Sequence, residues 1–150
     1  MDIRPAHAGD IPQLLGLIRR YWDFEGLEGF SALRIELVLK ELLAPPAAGG
    51  AIWVAHEQGS LVAYLTVVLM LSIEHQGLMA EIDEFFVLPE ARSRGTGARL
   101  LAVAEADLAR RNCLRLQLQL RSGNARARSF YERLGFVARA GYELLDKPLG

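Results

Sequence analysis

The sequence predicts an α/β (α+β) fold in which a central mixed, mainly antiparallel sheet is flanked by about four helices. Three observations indicate this class. The 150 residues match the usual length of one domain, so we expect a single domain over residues 1–150. Apolar residues make up 51% of the chain and charged residues 23%, which is typical of a globular protein. Segments with strand and helix periodicity follow the order β-α-α-β-β-β-α-β-α-β.

The first third of the chain predicts a strand and two helices. Residues 1–4 suit a short strand, and Asp10 is placed to cap a helix. Ser31 is placed to cap a second helix. Residues 21–30, which lie between the two helices, are rich in aromatic residues, acids and glycine. Residues 45–50 are the best loop candidate, because they contain two prolines and two glycines.

The middle of the chain predicts three strands, over residues 51–56, 61–73 and 80–88. Pro89 stops the third strand, and we expect the pairing in this part to be mostly antiparallel. A strand-helix crossover follows, with a helix over residues 95–111.

The last part predicts a strand, a helix and a final strand pair. Residues 114–120 alternate leucine with polar residues, which indicates a half-buried strand. Asn124 is placed to cap a further helix, which Gly135 ends. Residues 136–145 predict one or two final strands. Because these strands must be short, one wall of any binding site beside them would be open or completed by a second subunit, which makes a homodimer possible.

The formal net charge of −1 hides an asymmetry along the chain. Residues 92–133 contain ten arginines and three acidic residues, whereas acidic residues outnumber basic ones elsewhere. The two parts therefore predict an anionic and a cationic partner. The single cysteine, Cys113, excludes an internal disulfide framework and favours a cytoplasmic setting. The longest apolar stretch is too short for a membrane helix of about 20 residues, so no membrane partner is expected.

Residues 87–98 join a strand to a helix through glycines and arginines. Glycine lets backbone N–H groups approach a ligand, and a helix start exposes unpaired N–H groups, so the segment predicts a phosphate cradle. Arg92, Arg94 and Arg99 add positive charge. Leu100 stands where a dinucleotide fingerprint requires glycine, and the triphosphate-loop sequence Gly-Lys-Ser/Thr is absent. The alternative is a plain strand-to-helix turn with solvated arginines.

A second segment, residues 124–136, predicts an amphipathic helix with Phe130 and Tyr131 on its apolar stripe. Taken alone, this stripe favours a core position for Tyr131. His7 and His56 lack the spacing of a metal site, so no metal is expected. No basic or aromatic feature predicts a nucleic-acid groove.

Together the two segments resemble the GNAT superfamily of N-acetyltransferases. The first contains the family's acyl-CoA motif, R/Q-x-x-G-x-G/A, as Arg92, Gly95 and Gly97. The second matches the pattern N-x-x-A-x-x-F-Y-x-x-x-G-F through Asn124, Ala127, Phe130, Tyr131, Gly135 and Phe136. The resemblance is specific over about residues 80–136 and topological before them. It implies the family fold, with a splayed strand pair at the acyl-CoA site.

The resemblance implies acetyl-CoA, or a related acyl-CoA, as cosubstrate. Phe86 and Val87 would then hydrogen-bond the pantetheine from the splayed strand, and Asn124 matches a frequent CoA contact. Tyr131 matches the residue that often protonates the departing thiolate. The pyrophosphate would lie on the loop and its arginines, namely Arg92, Arg94, Gly95, Thr96, Gly97 and Ala98.

An amine acceptor must lose a proton before it attacks a thioester, and a carboxylate is the usual base. Strand alternation puts Glu81 and Asp83 on one side and Glu84 on the other, unless a bulge, which the resemblance implies, changes the parity. Glu81 matches the base of the histone-acetylating branch and Glu84 lies nearer the splay, so both rank above Asp83. The alternative is that all three acids merely attract a cationic substrate.

Residues 21–30 are expected at the acceptor site, because the corresponding segment overhangs the cleft in the family fold. Trp22 and Phe24 would line a pocket, while Glu25 and, from the strand, Asp83 would meet an ammonium group. The alternative is an acidic surface loop anchored by aromatic side chains.

The resemblance therefore predicts an enzyme that transfers an acetyl group from acetyl-CoA to a primary amine of a small cationic molecule. The reaction would proceed by direct attack in a ternary complex. Acetylation of a protein lysine or N-terminus is one alternative. A non-catalytic acetyl-CoA sensor is another, which the presence of both candidate bases and Tyr131 disfavours.

Overall fold

The computed structural model describes residues 1–45 and 49–150, so residues 46–48 of the loop predicted at 45–50 lie outside the described residues. The chain divides into two compact units, Met1–Gln119 and Leu120–Gly150. The expectation of a single domain over residues 1–150 stays a prediction.

The first unit is built on a five-stranded sheet in the order β1-β2-β3-β4-β5. The first four strands pair antiparallel with their neighbours, and β4 pairs parallel with β5. This arrangement confirms the predicted mixed, mainly antiparallel sheet. The strands are β1 (Asp2–Pro5), β2 (Gly50–Glu57), β3 (Ser60–Ser72), β4 (Gly77–Val87) and β5 (Arg115–Leu118).

Among the described residues, three α-helices belong to the first unit and one to the second, which confirms the predicted number of about four. They are α1 (Ile11–Glu25), α2 (Ala32–Leu43), α3 (Thr96–Arg110) and α4 (Ala125–Arg133). The helices α1 and α3 cover opposite faces of the sheet. Trp22 of α1 reaches Glu84 on the face that carries Tyr64, whereas Trp53 on the other face donates from Nε1 to Asp107 of α3 at 2.6 Å.

The core lies between these layers and is centred on β2 and β3. Trp53 and Tyr64 are completely buried, together with Leu14 of α1, Leu65 of β3 and Leu100 of α3. Burial of side chains of this size is the main favourable contribution to folding. The central strands, which are buried on both faces, thereby give a rigid platform for the residues at the end of β4.

Two of the three predicted helix caps are confirmed. Ser31 accepts a hydrogen bond from the backbone N–H of Arg34, and Asn124 accepts one from Ala127. Asp10 occupies the predicted N-cap position of α1, but its side chain makes no capping hydrogen bond to that helix. A short 3-10 turn leads directly into α1, so Asp10 has helical φ and ψ values (−81° and −13°) rather than the extended backbone of a cap. Its carboxylate instead accepts two hydrogen bonds from Arg4, at 2.7 and 2.9 Å.

The helix α1 extends further than the sequence predicted, because residues 21–25 form its last turns rather than an inter-helix loop. Leu14, Ile18 and Trp22 are spaced four residues apart and continue one apolar stripe toward the sheet. The helix ends at Gly26, which has a left-handed backbone with φ of +67°.

The final strands predicted at 136–145 are absent. In the second unit, residues 136–150 contain a turn at 140–141 and no strand. A strand needs a neighbour for its backbone N–H and C=O groups. Residues 120–150, all of which the structure describes, contain α4 and no strand that could serve as that neighbour.

Candidate active site

A β-bulge in β4 determines where the three candidate acids point. Thr66 of β3 lies opposite Glu84, and the next residue, Val67, lies opposite Ile82, so Asp83 is the extra residue of the bulge. Glu81 lies opposite Val68. Since Thr66 and Val68 share one face of β3, Glu81 and Glu84 share that face of β4. The parity predicted for a regular strand is therefore wrong, and the bulge that the resemblance implied is the cause.

The carboxylate of Glu84 is held by two hydrogen bonds from different elements. The indole Nε1 of Trp22 donates to Oε2 at 2.9 Å, and the hydroxyl of Tyr64 donates to Oε1 at 2.9 Å. The backbone N–H of Glu84 donates to Oγ1 of Thr66 at 3.0 Å, which fixes the backbone at the bulge. The carboxylate thus has a defined position between α1, β3 and β4.

Burial raises the pKa of Glu84 above its ordinary value of 4.5. The hydrogen bonds from Tyr64 and Trp22 act in the opposite direction, and the nearby Asp83 carboxylate adds to the increase. Desolvation by surrounding protein atoms also raises the pKa of Asp83, with repulsion from Glu81 as a further cause, although Asp83 remains exposed at the surface. Glu84 is therefore a carboxylate with increased proton affinity in a half-buried site.

A cavity of about 240 Å³ lies against Glu84, between α1, α2 and the strands β3 and β4. Its polar lining residues are Arg34, Thr66, Asp83 and Glu84. The apolar lining comes from Ile18 and Trp22 of α1 and from Ile35, Val38, Leu39 and Leu42 of α2. The site combines an apolar wall with two carboxylates and a guanidinium group.

The other candidates for acceptor binding lie outside this lining. Phe24 is 61% exposed, its ring lies 4.9 Å from the Arg92 guanidinium, and it contacts Phe86 with 6.2 Å between ring centroids. Glu25 is the last residue of α1. Glu81 accepts a hydrogen bond from Nε2 of Gln117 at 3.0 Å and so lies toward β5.

The connection from β4 to α3 is fixed by side-chain bonds to backbone carbonyls. Arg92 donates from Nε to the carbonyl of Val87 at 2.8 Å, and Thr96, which is buried, donates from Oγ1 to Ala91 at 3.0 Å. Arg94 pairs with Glu57 of β2 at 3.2 Å. These bonds hold the loop to the end of the strand.

The N-terminus of α3 has the features of an anion site. Gly95 precedes the helix with a left-handed backbone, φ of +74°, and has no side chain with which to cap it. The carbonyl of Gly95 accepts the first helical hydrogen bond, from the N–H of Arg99. The N–H groups of Thr96, Gly97 and Ala98 come before that bond and belong to the set that a helix leaves for ligands or solvent. The backbone therefore fits a pyrophosphate.

The parallel pairing of β4 with β5 ends before β4 does. It runs from Met79 opposite Arg115 to Ile82 opposite Leu118, where β5 ends, although β4 continues to Val87. In the described residues the last part of β4 therefore has no partner on the β5 side, which is the arrangement expected of the splayed pair that the resemblance implied. Phe86 is buried among aromatic rings and lies 5.7 Å from Tyr21 between centroids. Roles for Phe86 and Val87 in binding pantetheine stay predictions.

The second unit holds the two remaining candidates. Oδ1 of Asn124 is used to cap α4, where it accepts from the N–H of Ala127 at 3.1 Å. Tyr131 lies on α4 with its ring 5.2 Å from that of Phe130 and 5.4 Å from that of Phe136. Their roles toward CoA also stay predictions.

Sequence reasoning missed Tyr64, Thr66 and Arg34. Alternation along the predicted strand at 61–73 puts Tyr64 and Thr66 on one face, so the signal for their proximity was present. Nothing in the pattern indicated that this face carries a carboxylate. For Arg34, the third residue of the predicted second helix, no sequence signal indicates a cavity.

Comparison with known proteins agrees with this geometry. The model of the acetyltransferase (GNAT) family matches residues 12–136. A protein described as uncharacterized N-acetyltransferase YhfO, from Bacillus subtilis (strain 168), is 27% identical over 149 residues, which cover 95% of this chain and 93% of the relative. An uncharacterized N-acetyltransferase of Archaeoglobus fulgidus is 32% identical over 136 residues, covering 87% of this chain and 89% of that protein.

A solved structure is similar over nearly the whole chain. It is the integron cassette protein HFX_CASS3 from the mobile metagenome of Cole Harbour Salt Marsh, with a TM-score of 0.85 and 30% identity. The match covers 99% of this chain and 90% of that one. The chain belongs to the acetyltransferase (GNAT) family, and it is an acyl-CoA-dependent acetyltransferase.

Two further findings concern other classes of partner. Within residues 1–45 and 49–150, no group of three or more His, Cys, Asp or Glu residues is arranged to hold a metal ion. In the same part of the chain, no helix has the length and apolar character needed to cross a bilayer. The expected absence of a metal cofactor stays a prediction.

Proposed function

We propose that this acetyltransferase acetylates a primary amine of a small molecule by direct attack in a ternary complex, with Glu84 as the general base. The observation that carries the proposal is the position of Glu84. Its carboxylate lines the cavity, is held by Trp22 and Tyr64, and has a pKa above its ordinary value. A carboxylate with increased proton affinity is better matched to proton removal near neutral pH than an exposed one.

The acceptor enters this scheme as an ammonium ion. An alkyl ammonium group has a pKa of about 10.4, so most of the acceptor is protonated at pH 7 and cannot attack. Asp83 and Glu84 would attract the cationic group, and Glu84 would take its proton directly or through water. Trp22 would hold the acceptor's carbon skeleton, because its indole forms part of the cavity wall. Glu81, on the same face of β4, is the rival base.

The size of the cavity supports a small acceptor. Its volume of about 240 Å³ lies below the range of about 300–1,000 Å³ that is usual for ligand pockets. The wall formed by α1 and α2 encloses a compact group more readily than an extended peptide. We therefore favour the ammonium group of a small molecule over that of a protein lysine or N-terminus.

When bound, acetyl-CoA supplies the activated acetyl thioester. The backbone N–H groups of Thr96, Gly97 and Ala98 would bind its pyrophosphate, with Gly95 allowing close approach. The positive charges of Arg92 and Arg94 would add to the attraction. Phe86 and Val87 would hold the pantetheine arm, and Asn124 would add a polar contact. Tyr131 would donate its hydroxyl proton to the leaving thiolate.

The test is release of CoA thiol from acetyl-CoA in the presence of single amines, measured at steady state. The wild type is expected to turn over at least one small primary amine. The Tyr131→Phe variant, which keeps the ring and removes the hydroxyl, is expected to lose kcat by about 10-fold or more. Tyr142→Phe is the matched control, because Tyr142 is 66% exposed. Wild-type kcat in Y131F would show that Tyr131 is not the acid, and tight CoA binding without turnover of any amine would support a sensor instead.

A further inference from the structure

The acceptor cavity contains one cationic side chain that the proposed reaction does not use. Arg34 lies in the first turn of α2 and lines the same cavity as Asp83 and Glu84. Its backbone N–H bonds to Ser31, and in the described part of the chain its guanidinium forms no ion pair. Arg34 is exposed, so its guanidinium is accessible from the cavity, and the planar guanidinium group suits two-point binding of a carboxylate or phosphate.

The distribution of charge in the cavity has a simple consequence for the ligand. The two carboxylates come from β4, whereas Arg34 comes from α2, with the apolar residues of α1 and α2 forming the rest of the wall. A ligand that fills this space meets negative groups from the sheet and a positive group from the helix. A polyamine satisfies the first and is repelled by the second, because like charges are unfavourable at close range.

We propose that the acceptor is a zwitterion with an apolar body, namely an amino acid or a similar amino carboxylate. Its ammonium group faces Asp83 and Glu84, its carboxylate is bound by Arg34, and its side chain packs on the apolar wall. This inference rests on the proposed function and narrows its acceptor class. Arg34 is thus a residue that determines specificity.

The apolar wall of the cavity supports the proposed packing of the acceptor's side chain. Ile35 and Val38, which follow Arg34 on α2, line the cavity with Ile18 and Trp22 of α1. A side chain of leucine or phenylalanine buries apolar surface against such a wall, which contributes roughly 25 cal/mol per Å² of area removed from water. A small polar acceptor gains nothing there.

The experiment compares acceptors that differ in one group. Phenylalanine, phenylalaninamide and phenethylamine share the ring and the amine, and the carboxylate is present only in the first; spermidine represents the polyamines. Thiol release is measured at pH 8 with saturating acetyl-CoA. The kcat/KM for phenylalanine is expected to exceed that for phenethylamine by about 10-fold or more, chiefly through KM, because a hydrogen-bonded charge pair contributes to binding.

Variants assign that preference to one side chain. Arg34→Gln is expected to reduce the ratio of the two kcat/KM values to about 1, and Arg34→Lys to restore part of it. Lys40→Gln is the matched control, since it removes one positive charge from the same helix at a residue outside the cavity lining, where Lys40 pairs with Glu36. The control is expected to retain the wild-type ratio.

The outcomes separate this inference from the proposed function. Equal kcat/KM for phenylalanine and phenethylamine in the wild type, or a ratio that R34Q leaves unchanged, would overturn the assignment of Arg34 while amine acetylation stands. Preferred use of spermidine would overturn it as well. Failure of every amine and amino acid to release thiol, with CoA binding intact by calorimetry, would overturn the proposed function and this inference together.

Discussion

The Glu84→Gln variant separates the chemical role of this carboxylate from its structural one. A glutamine side chain has the same shape, and its amide oxygen can accept the hydrogen bond from Trp22 Nε1. Its amide nitrogen can donate to the Tyr64 hydroxyl, which rotates from donor to acceptor. Both contacts are thereby kept, while the base is lost. We expect kcat at pH 7 to fall by about 100-fold or more, the usual effect of removing a general base.

As pH rises from 4.5 to 7, the E84Q variant should gain stability relative to the wild type, although it loses activity. Because burial raises the pKa of Glu84 above 4.5, the native state binds a proton more tightly than the unfolded chain does. The free energy of unfolding of the wild type therefore falls as pH rises from 4.5 through the native pKa. The E84Q variant lacks this fall, so its stability relative to the wild type should increase between pH 4.5 and pH 7.

The Glu84→Ala variant gives the contrasting case. It leaves the Trp22 N–H and the Tyr64 O–H without their acceptor, and each unsatisfied buried group costs about 1–3 kcal/mol. Trp22 is half-buried and water reaches it more readily, whereas Tyr64 is completely buried. We expect E84A to be less stable than the wild type by about 2 kcal/mol, most of it from Tyr64.

Two measurements on purified variants test whether Glu84 is the base and how its ionisation affects stability. Urea denaturation at pH 4.5 and pH 7 gives the free energies of unfolding, and thiol release with a saturating amine gives kcat. Glu81→Gln is tested beside E84Q, because Glu81 lies on the same face of β4. The reasoning is refuted if E84Q keeps kcat within about 3-fold of the wild type, or if E81Q alone loses activity. The stability argument is refuted if the difference in unfolding free energy, E84Q minus wild type, is smaller at pH 7 than at pH 4.5.

Three further predictions concern other parts of the first unit. Gly95→Ala is expected to lower the free energy of unfolding by about 1 kcal/mol, because φ at residue 95 is +74°, and to weaken CoA binding measured by calorimetry. If the variant binds CoA as tightly as the wild type does, the loop is not the phosphate site. Asp10→Asn should cost about 2 kcal/mol at pH 7. The hydrogen bond from Arg4 holds the pKa of Asp10 below 3.8, so the ionised carboxylate stabilises the native state above pH 3.8 and this contribution is lost as pH falls through the native pKa. Urea denaturation from pH 2 to 7 should show this loss of stability in the wild type and not in the variant. Glu57→Gln should lower the Kd for CoA by up to about 5-fold at low salt, since it removes the charge that competes with phosphate for Arg94. An unchanged Kd for CoA would place Arg94 away from the phosphates.

The order of elements was largely predictable because it depends on periodicity, which the chain shows clearly. The long strand at 60–72 and the helix at 96–110 were predicted to within one residue, since both have strong apolar patterns and glycine or proline nearby. The end of α1 was less predictable, because an aromatic and acidic composition does not distinguish a last helical turn from a loop. Predicting strands at 136–145 was wrong for a different reason: alternation reports the tendency of a segment to be a strand and says nothing of a partner.

The candidate site depended on features that sequence patterns report poorly. Predicting which side of β4 carries Glu84 required knowing that one residue, Asp83, is extra, and a single inserted residue reverses every later side chain. The resemblance implied the bulge without giving its position. The partners of Glu84 come from segments 20 and 62 residues away in sequence, Tyr64 and Trp22, so no local motif contains them.

The charge asymmetry that predicted an anionic partner has a more limited meaning in the structure. Within residues 92–133, Arg110 is paired with Asp107 of its own helix, and Arg94 is paired with Glu57 of β2. Part of the positive charge counted along the sequence is therefore used in ion pairs within the protein. The Arg94–Glu57 pair is partly exposed, and pairs near the surface contribute only about 0–1 kcal/mol, so a polyphosphate could replace Glu57 at Arg94 with little loss. Specificity for the cosubstrate must then come chiefly from the backbone N–H groups at the start of α3, whose positions the fold fixes and which no count of charges reveals.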